Sequence, residues 1–334
     1  MFNDKDILIT GGTGSFGRVL AQFLLDGYKP NRIVIYSRDE LKQIEMAESF
    51  TTSQRSQLRF FIGDVRDSRR LRRAMNEIDY VIHAAALKHV PVAEYNPMEC
   101  IKTNVLGASN IIEEAIDAGV KSVIALSTDK ATHPVNLYGA SKLASDKLFV
   151  AANNVVGKQA TRFAVVRYGN VIGSRGSVVP LFKKLLSEGS TSLPLTDPRM
   201  TRFWITLEQG ANFVLKCLER MYGGETFIPK IPSMKMVDMI NAMAPNSEPK
   251  IIGRRPGEKL HEVMCPADVC HRVLEYPDYY VIKPSIRYTD VYNDFTVSAI
   301  GEKGKSVAEG FEYNSATNTE WLSKADFLKL VETL

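Results

Sequence analysis

Cysteine is scarce in this chain: four residues in 334, at Cys100, Cys217, Cys265 and Cys270. So few, so scattered, exclude a disulfide framework. Cys265 and Cys270 stand near His261 and His271, but the spacing fits no zinc pattern, so no metal requirement is read. Long apolar runs are also missing. No stretch approaches the roughly 18 residues that a membrane-crossing helix needs. The opening MFNDKD passes straight into an apolar strand, without the apolar core and small-residue cleavage site of a signal peptide, so a cytoplasmic location is expected. An excess of one charge is lacking too. With 42 Lys and Arg against 38 Asp and Glu the net charge is +4, too near balance to build a nucleic-acid surface, although a small anionic ligand suits it. No tandem repeat or low-complexity segment stands out.

What is present is the composition of an ordinary globular protein, 45% hydrophobic and 24% charged, and long enough for two units at roughly 150 residues per domain. Short β-branched runs recur at DILIT (6–10), RIVIY (32–36), LRFFI (58–62), DYVIH (79–83), KSVIALS (121–127) and RFAVVR (161–167), with helical patterns between them. Continuous apolar strands alternating with helices predict an α/β fold, a doubly wound parallel sheet covered on both faces. After about residue 170 the alternation weakens. Residues 1–170 therefore read as a Rossmann dinucleotide-binding domain, to which part of 200–225 returns, and 171–334 as a smaller C-terminal substrate-binding region. Five prolines between Ile228 and Lys259 suggest irregular covering structure there rather than more sheet. The last fifty residues are uninformative until an amphipathic pattern near the C-terminus.

The first strand runs into TGGTGSFG, with Gly11, Gly14 and Gly17 three apart. Glycines at this point allow a tight turn and bring backbone amides, with those of Thr13, Ser15 and Phe16, to a pyrophosphate at the positive end of the next helix. The second strand ends in SRDELKQ. An NAD-binding chain usually offers an acid to the ribose at that distance; Ser37 and Arg38 stand there instead, with Lys42 a turn on, which suits the 2′-phosphate of NADP. Asp39, Glu40, Leu41 and Gln43 complete that loop. The S-x-x-E spacing of Ser37 and Glu40 also fits a helix capping box. Asp64 and Val65 are expected near the adenine, Ala84 near the cofactor, and Lys88 near a substrate.

Tyr138 and Lys142 form Y-x-x-x-K, on one face of a helix. An ammonium beside a phenol lowers its pKa and readies it as a base, and the lysine can hold the nicotinamide ribose. Just upstream, LSTDK places Asp129 and Lys130 together after Ser127 and Thr128. Alone, such a pair is a solvated ion pair of little worth.

TGGTGSFG, LSTDK and YGASK in this order resemble the extended short-chain dehydrogenase/reductases. Many sugar-nucleotide 4,6-dehydratases of that family carry Thr-Asp-Glu where Thr128, Asp129 and Lys130 stand. The lysine variant, with SRDELKQ, AALKHVPVAEYNPMECIKTN, RYGNVIGSRGSVVP, DPRMTRFWI, IPKIPSMKM and RPGEKLHE, resembles the inverting UDP-N-acetylglucosamine 4,6-dehydratases that open pseudaminic acid biosynthesis. The likeness extends to about residue 265. It implies NADP as cofactor, UDP-N-acetylglucosamine as substrate, and a reaction that oxidises C4, removes the C5 proton, expels the C6 hydroxyl and returns the hydride to C6.

The resemblance further implies that Tyr138 accepts the O4 proton with Thr128 hydrogen-bonded to the same oxygen, that Lys130 takes the C5 proton, and that Asp129 protonates the departing O6. A basic Lys130 must be neutral, which calls for a pKa depressed by burial or by a cation such as Lys142. Asn170 and Ser127 are expected at the sugar nucleotide with Val178; Val171, Ile172, Gly173, Ser174 and Arg175 at the nicotinamide side; and Thr196, Arg255 and Glu258 at the uridine diphosphate. Helices around Leu106–Ala118 and Tyr138–Ala151 resemble the pair that builds a dimer contact in this family, so a homo-oligomer is expected, a dimer or a larger assembly such as a hexamer. A 4-epimerase of the same family, or a catalytically silent NADP sensor on the same fold, are the competing readings.

Overall fold

The computed structural model describes residues 1–157, 159–245, 247–286 and 293–332. The first six strands are β1 (Asp6–Thr10), β2 (Arg32–Ser37), β3 (Leu58–Ile62), β4 (Tyr80–His83), β5 (Ser122–Thr128) and β6 (Arg162–Tyr168). All six pair in parallel. Helices α1 (Ser15–Gly27), α2 (Glu40–Glu48), α3 (Thr52–Ser56), α4 (Ser68–Ala74), α5 (Val90–Tyr95), α6 (Pro97–Ile101), α7 (Gly107–Asp117) and α8 (Leu137–Ala152) lie between them.

The strand order β3-β2-β1-β4-β5-β6 reverses at β1, the switch point at which doubly wound sheets bind ligands beyond their carboxyl ends. Every strand feeds two cores, because successive side chains point to opposite faces. Ile7, Ile9, Ile33 and Ile35 enter one cluster, while Leu8 and Val34 enter the other, under α4, α7 and α8. This two-sided burial explains the continuous apolar runs.

Beyond β6 the sheet continues. Thr226–Pro229 adds in parallel to β6, and Tyr279–Ile282, Val273–Glu275 and Lys305–Ser306 follow antiparallel, making ten strands. Of these four added strands only the end of Thr226–Pro229 falls within Ile228–Lys259, the stretch expected to form irregular covering structure. These strands have two to four residues, too short for any period to register in the sequence. The helix Leu207–Arg220, capped by a Thr206/Gln209 capping box, packs on α1. A third apolar cluster, with Ile172, Val179, Phe182, Trp204, Met239 and Phe327, gathers the C-terminal elements, including the final helix Lys324–Glu332. Among the described residues no helix is long and apolar enough to cross a membrane.

Candidate active site

The glycine-rich turn leaves β1 with Gly11 at φ +65°, and a Cβ there would come within 2.9 Å of the Ala85 backbone. A Cβ on Gly17 would collide with the backbone of Gly12. Gly14 caps α1 without any side-chain hydrogen bond. Side chains are thus excluded where the amides of a helix N-terminus face outward, a cradle that fits a dinucleotide pyrophosphate.

At the end of β2 the capping-box alternative is corrected. Asp39 is the N-cap of α2, accepting from the Lys42 amide at 3.1 Å and from the Lys42 ammonium at 2.5 Å. Gln43 turns inward: its amide nitrogen donates to the Ser37 carbonyl, the Ser37 hydroxyl and the Phe61 carbonyl, tying β2 to β3 rather than facing a ligand. Arg38 is half exposed and lies 3.6 Å from Asp64. Glu40 and Leu41 are exposed, Val65 is buried, and Phe16 packs against the core.

Val171 and Ile172 follow β6, and the chain then turns through Gly173 and Gly176, both in the left-handed region. Arg175, expected on the nicotinamide side, reaches the glycine-rich turn. Its amide donates to the Ser15 hydroxyl at 3.1 Å and its guanidinium to the Thr13 carbonyl. The Lys88 ammonium donates to the Arg175 carbonyl at 2.8 Å, so this segment straps the cofactor turn to the loop after β4. That loop is itself clamped. Asn104, buried in a π-helical turn (Lys102–Leu106), accepts from the Leu87 amide at 2.8 Å and donates to the Leu87 carbonyl and the Ser141 hydroxyl at 2.9 Å. Sequence reading passed over Asn104, though an irregular turn of this kind often marks a functional site.

At the carboxyl end of β5 a short 3-10 turn, Asp129–Ala131, opens with Thr128 as its cap. The Thr128 hydroxyl donates to Asp129 Oδ1 at 3.0 Å and accepts from the Lys130 amide at 3.3 Å. Lys130 Nζ stands 3.0 Å from Asp129 Oδ1 and 3.2 Å from Asn170 Oδ1, with Glu262 Oε1 at 3.7 Å. Asp129 is fully buried, and its Oδ2 has no hydrogen-bond partner among the described residues.

Two electrostatic expectations are corrected by these neighbours. Burial pushes the Lys130 amine down, but the carboxylates of Asp129 and Glu262 more than offset it, and its pKa rises above the ordinary lysine value. Burial likewise raises the Tyr138 phenol to about 12, against the pull of the Lys130 ammonium and of hydrogen bonding by Thr128. Lys142 is the amine that burial depresses, with Asp146 acting the other way. The ammonium that acts on the Tyr138 phenol is that of Lys130.

Ser127, expected at the sugar nucleotide, has an inward partner. Its hydroxyl donates to Asp146 Oδ2 at 2.8 Å, and Arg167 donates to the same oxygen at 3.1 Å. Asp146, missed in the sequence, thus ties α8 to β5 and β6 beneath the site. Over the site, Asn136 caps α8 through the Gly139 amide at 2.7 Å and donates to the Gly257 carbonyl at 2.8 Å. This brings the turn holding Arg255 and Glu258, joined by the Arg255 amide at 3.2 Å from Glu258 Oε2, to the mouth. Thr196 follows the short strand Pro194–Leu195, and Val178 begins the helix Val178–Ser187.

The glycine turn, the ends of β2 to β6 and the start of α8 therefore share one edge of the sheet. They present a dinucleotide cradle beside a tyrosine, a lysine and a buried acid. A family model described as polysaccharide biosynthesis protein matches residues 7–284. A protein of Campylobacter jejuni subsp. jejuni serotype O:2, named UDP-N-acetylglucosamine 4,6-dehydratase (inverting), is 62% identical over 99% of this chain and 98% of that one. The UDP-glucose 4-epimerase of Rickettsia conorii is 40% identical over 100% of this chain and 97% of its own. Among solved structures, Pen from Bacillus thuringiensis matches with a TM-score of 0.89 at 36% identity, over 100% of this chain and 98% of that one. The chain belongs to the polysaccharide biosynthesis protein family, in the branch of the extended short-chain dehydrogenase/reductases that contains the inverting UDP-N-acetylglucosamine 4,6-dehydratases.

Proposed function

We propose that this protein is an NADP-dependent, C5-inverting UDP-N-acetylglucosamine 4,6-dehydratase. As a hydro-lyase it would yield UDP-2-acetamido-2,6-dideoxy-β-L-arabino-hex-4-ulose, the first step of pseudaminic acid biosynthesis. The observation that carries the reading is the Lys130 amine, 3.0 Å from Asp129 and 3.2 Å from Asn170, in a site that already has Tyr138. A 4-epimerase uses the tyrosine but needs no second acid and base.

Backbone amides between Gly11 and Gly17 hold the pyrophosphate, Arg38 and Lys42 the 2′-phosphate, and Lys142 the nicotinamide ribose. A dinucleotide held there would supply the hydride chemistry, oxidation at C4 and reduction at C6. Tyr138 takes the O4 proton, and Thr128 hydrogen-bonds the same oxygen. A C4 carbonyl acidifies the C5 proton, which Lys130 removes while Asp129 protonates O6 and water leaves.

This step needs a neutral amine and a protonated carboxyl. The ion pair at rest carries the same single proton on the other partner, so transfer across the 3.0 Å contact supplies both at once. Asp129 Oδ2, buried without a partner among the described residues, is the oxygen free to meet the departing hydroxyl.

Lys88, Asn170, Val178, Thr196, Arg255 and Glu258 line the sugar-nucleotide side. Residues 1–170, with part of 200–225, form the NADP half and 171–334 the substrate half. The protein acts in the cytoplasm as a homo-oligomer joined through α7 and α8.

Incubation with UDP-N-acetylglucosamine in deuterated water tests the reading. The expected product is lighter by one water, labelled at C5, and inverted there by NMR. Given the Rickettsia relative's name, epimerisation is the second reading, and it would give neither mass loss nor label. NADP binding without any sugar product would point to a sensor.

A further inference from the structure

Glu262 lies just before the strand Val263–Cys265 and is 2% exposed. Its carboxylate faces three cations. Oε1 stands 3.7 Å from Lys130 Nζ and 3.8 Å from Arg202 Nε, and Oε2 stands 3.4 Å from Lys259 Nζ. Two of these cations are anchored elsewhere. The Arg202 guanidinium donates to the carbonyls of Thr201, Leu260 and Lys259 at 2.7, 3.0 and 2.9 Å, and the Lys259 ammonium donates to the Thr132 carbonyl at 2.5 Å. The Glu262 backbone is pinned as well, its amide donating to the Ser315 hydroxyl at 2.9 Å and its carbonyl accepting from the Ser315 amide at 2.8 Å.

A carboxylate so fixed is a standing negative charge against which Lys130 is set. The groups facing Lys130 are Asp129, Glu262, Arg202, Tyr138 and the Asn170 amide, and of the two carboxylates only Asp129 is placed as an acid by the proposed chemistry. We infer that Glu262 is a positioning residue of the dehydratase: it holds the Lys130 amine against Asp129 and sets the pH range over which that pair carries the single proton the elimination needs. The inference rests on the dehydratase reading. An opposite charge within about 4–6 Å shifts a titration by about one to three units, and the shift belongs to the coupled pair.

The test compares wild type, Glu262→Gln and Lys259→Met in kcat against pH, at saturating UDP-N-acetylglucosamine and NADP. The alkaline limb reports the pair losing its last proton. Removing the Glu262 charge is expected to move that limb down by about 1 pH unit, and removing Lys259, which competes for the same carboxylate, to move it up. KM for the sugar nucleotide should stay within about twofold, because uniform binding is untouched. Alkaline limbs that superpose on wild type overturn the inference. Should Glu262→Gln fail to fold, Lys259→Met decides alone, and an unmoved limb is again the overturning result. A wild type that forms no 4-keto product at any pH removes the dehydratase reading and this inference together, whereas an active wild type with superposed profiles removes only the inference.

Discussion

Gly139 and Lys130 meet backbone to backbone: the Lys130 carbonyl oxygen occupies the space where a Cβ on Gly139 would stand. The reactive turn after β5 is thereby seated directly on the first turn of α8, which carries Tyr138.

Gly139→Ala must push that turn away, since the obstacle is backbone and cannot rotate aside. A displacement near 1 Å at reacting groups costs about 10²-fold in rate. The expected result is a kcat lower by about that factor, with NADP affinity unchanged in a fluorescence titration.

Lys130→Met and Tyr138→Phe should fail at different stages. With the amine gone, oxidation at C4 proceeds but the C5 proton stays, so the absorbance of reduced nicotinamide builds and persists in a single turnover. Tyr138→Phe should show no such absorbance. Both should lower turnover by about 10²–10⁴-fold, the usual worth of a general acid or base. Equal absorbance traces would separate the residues from these roles.

Arg38 has Asp64, at 3.6 Å, as its ion-pair partner and is half exposed, so it can turn toward a 2′-phosphate at little cost. Arg38→Ala is expected to weaken NADP by about 10–100-fold, the worth of a charge-assisted hydrogen bond, and to leave NAD almost unaffected. Dissociation constants for the two dinucleotides check this.

His83, at the end of β4, is buried with its Nδ1 2.8 Å from the Thr10 hydroxyl. Burial first, and the Lys142 charge second, lower its pKa from 6.5 to about 3. In the unfolded chain it titrates near 6.5, so between these values the unfolded state binds more protons. Stability contributed by the neutral ring is complete above about pH 6.5 and is lost as pH falls toward about 3, at about 1.4 kcal/mol per pH unit for one proton. Urea unfolding of His83→Asn should show a shallower loss between pH 6 and pH 4 than wild type.

Much of the architecture could be read in advance because its cause is local. DILIT, RIVIY and the four runs after them announce strands, and each forms one, with the edge strand Leu58–Ile62 exposing Arg59 and Ile62. Gly11, Gly14 and Gly17 mark the turn, and Tyr138 and Lys142 share a helix face through a spacing of four. Locality also explains the failures. Ser37 and Glu40 have a capping-box spacing, yet Asp39 takes the cap because its own carboxylate reaches both the Lys42 amide and ammonium. Ser127 carries a hydroxyl at a strand end, but whether it faces a ligand or Asp146 depends on how α8 lies over β5.

By itself, the order of residues determined the α/β alternation, the glycine cradle and the adjacency of Thr128, Asp129 and Lys130, since these follow from backbone periodicity, small-residue sterics and neighbours along the chain. Tertiary structure alone decided the upward pKa shift of the Lys130 amine, the strapping of Arg175 across to Thr13 and Ser15, and the extension of the sheet by short strands beyond residue 225. The reason is that Coulomb interactions depend on distance in space, and no spacing in sequence announces that Lys130, Arg202 and Lys259 will converge on the one carboxylate of Glu262.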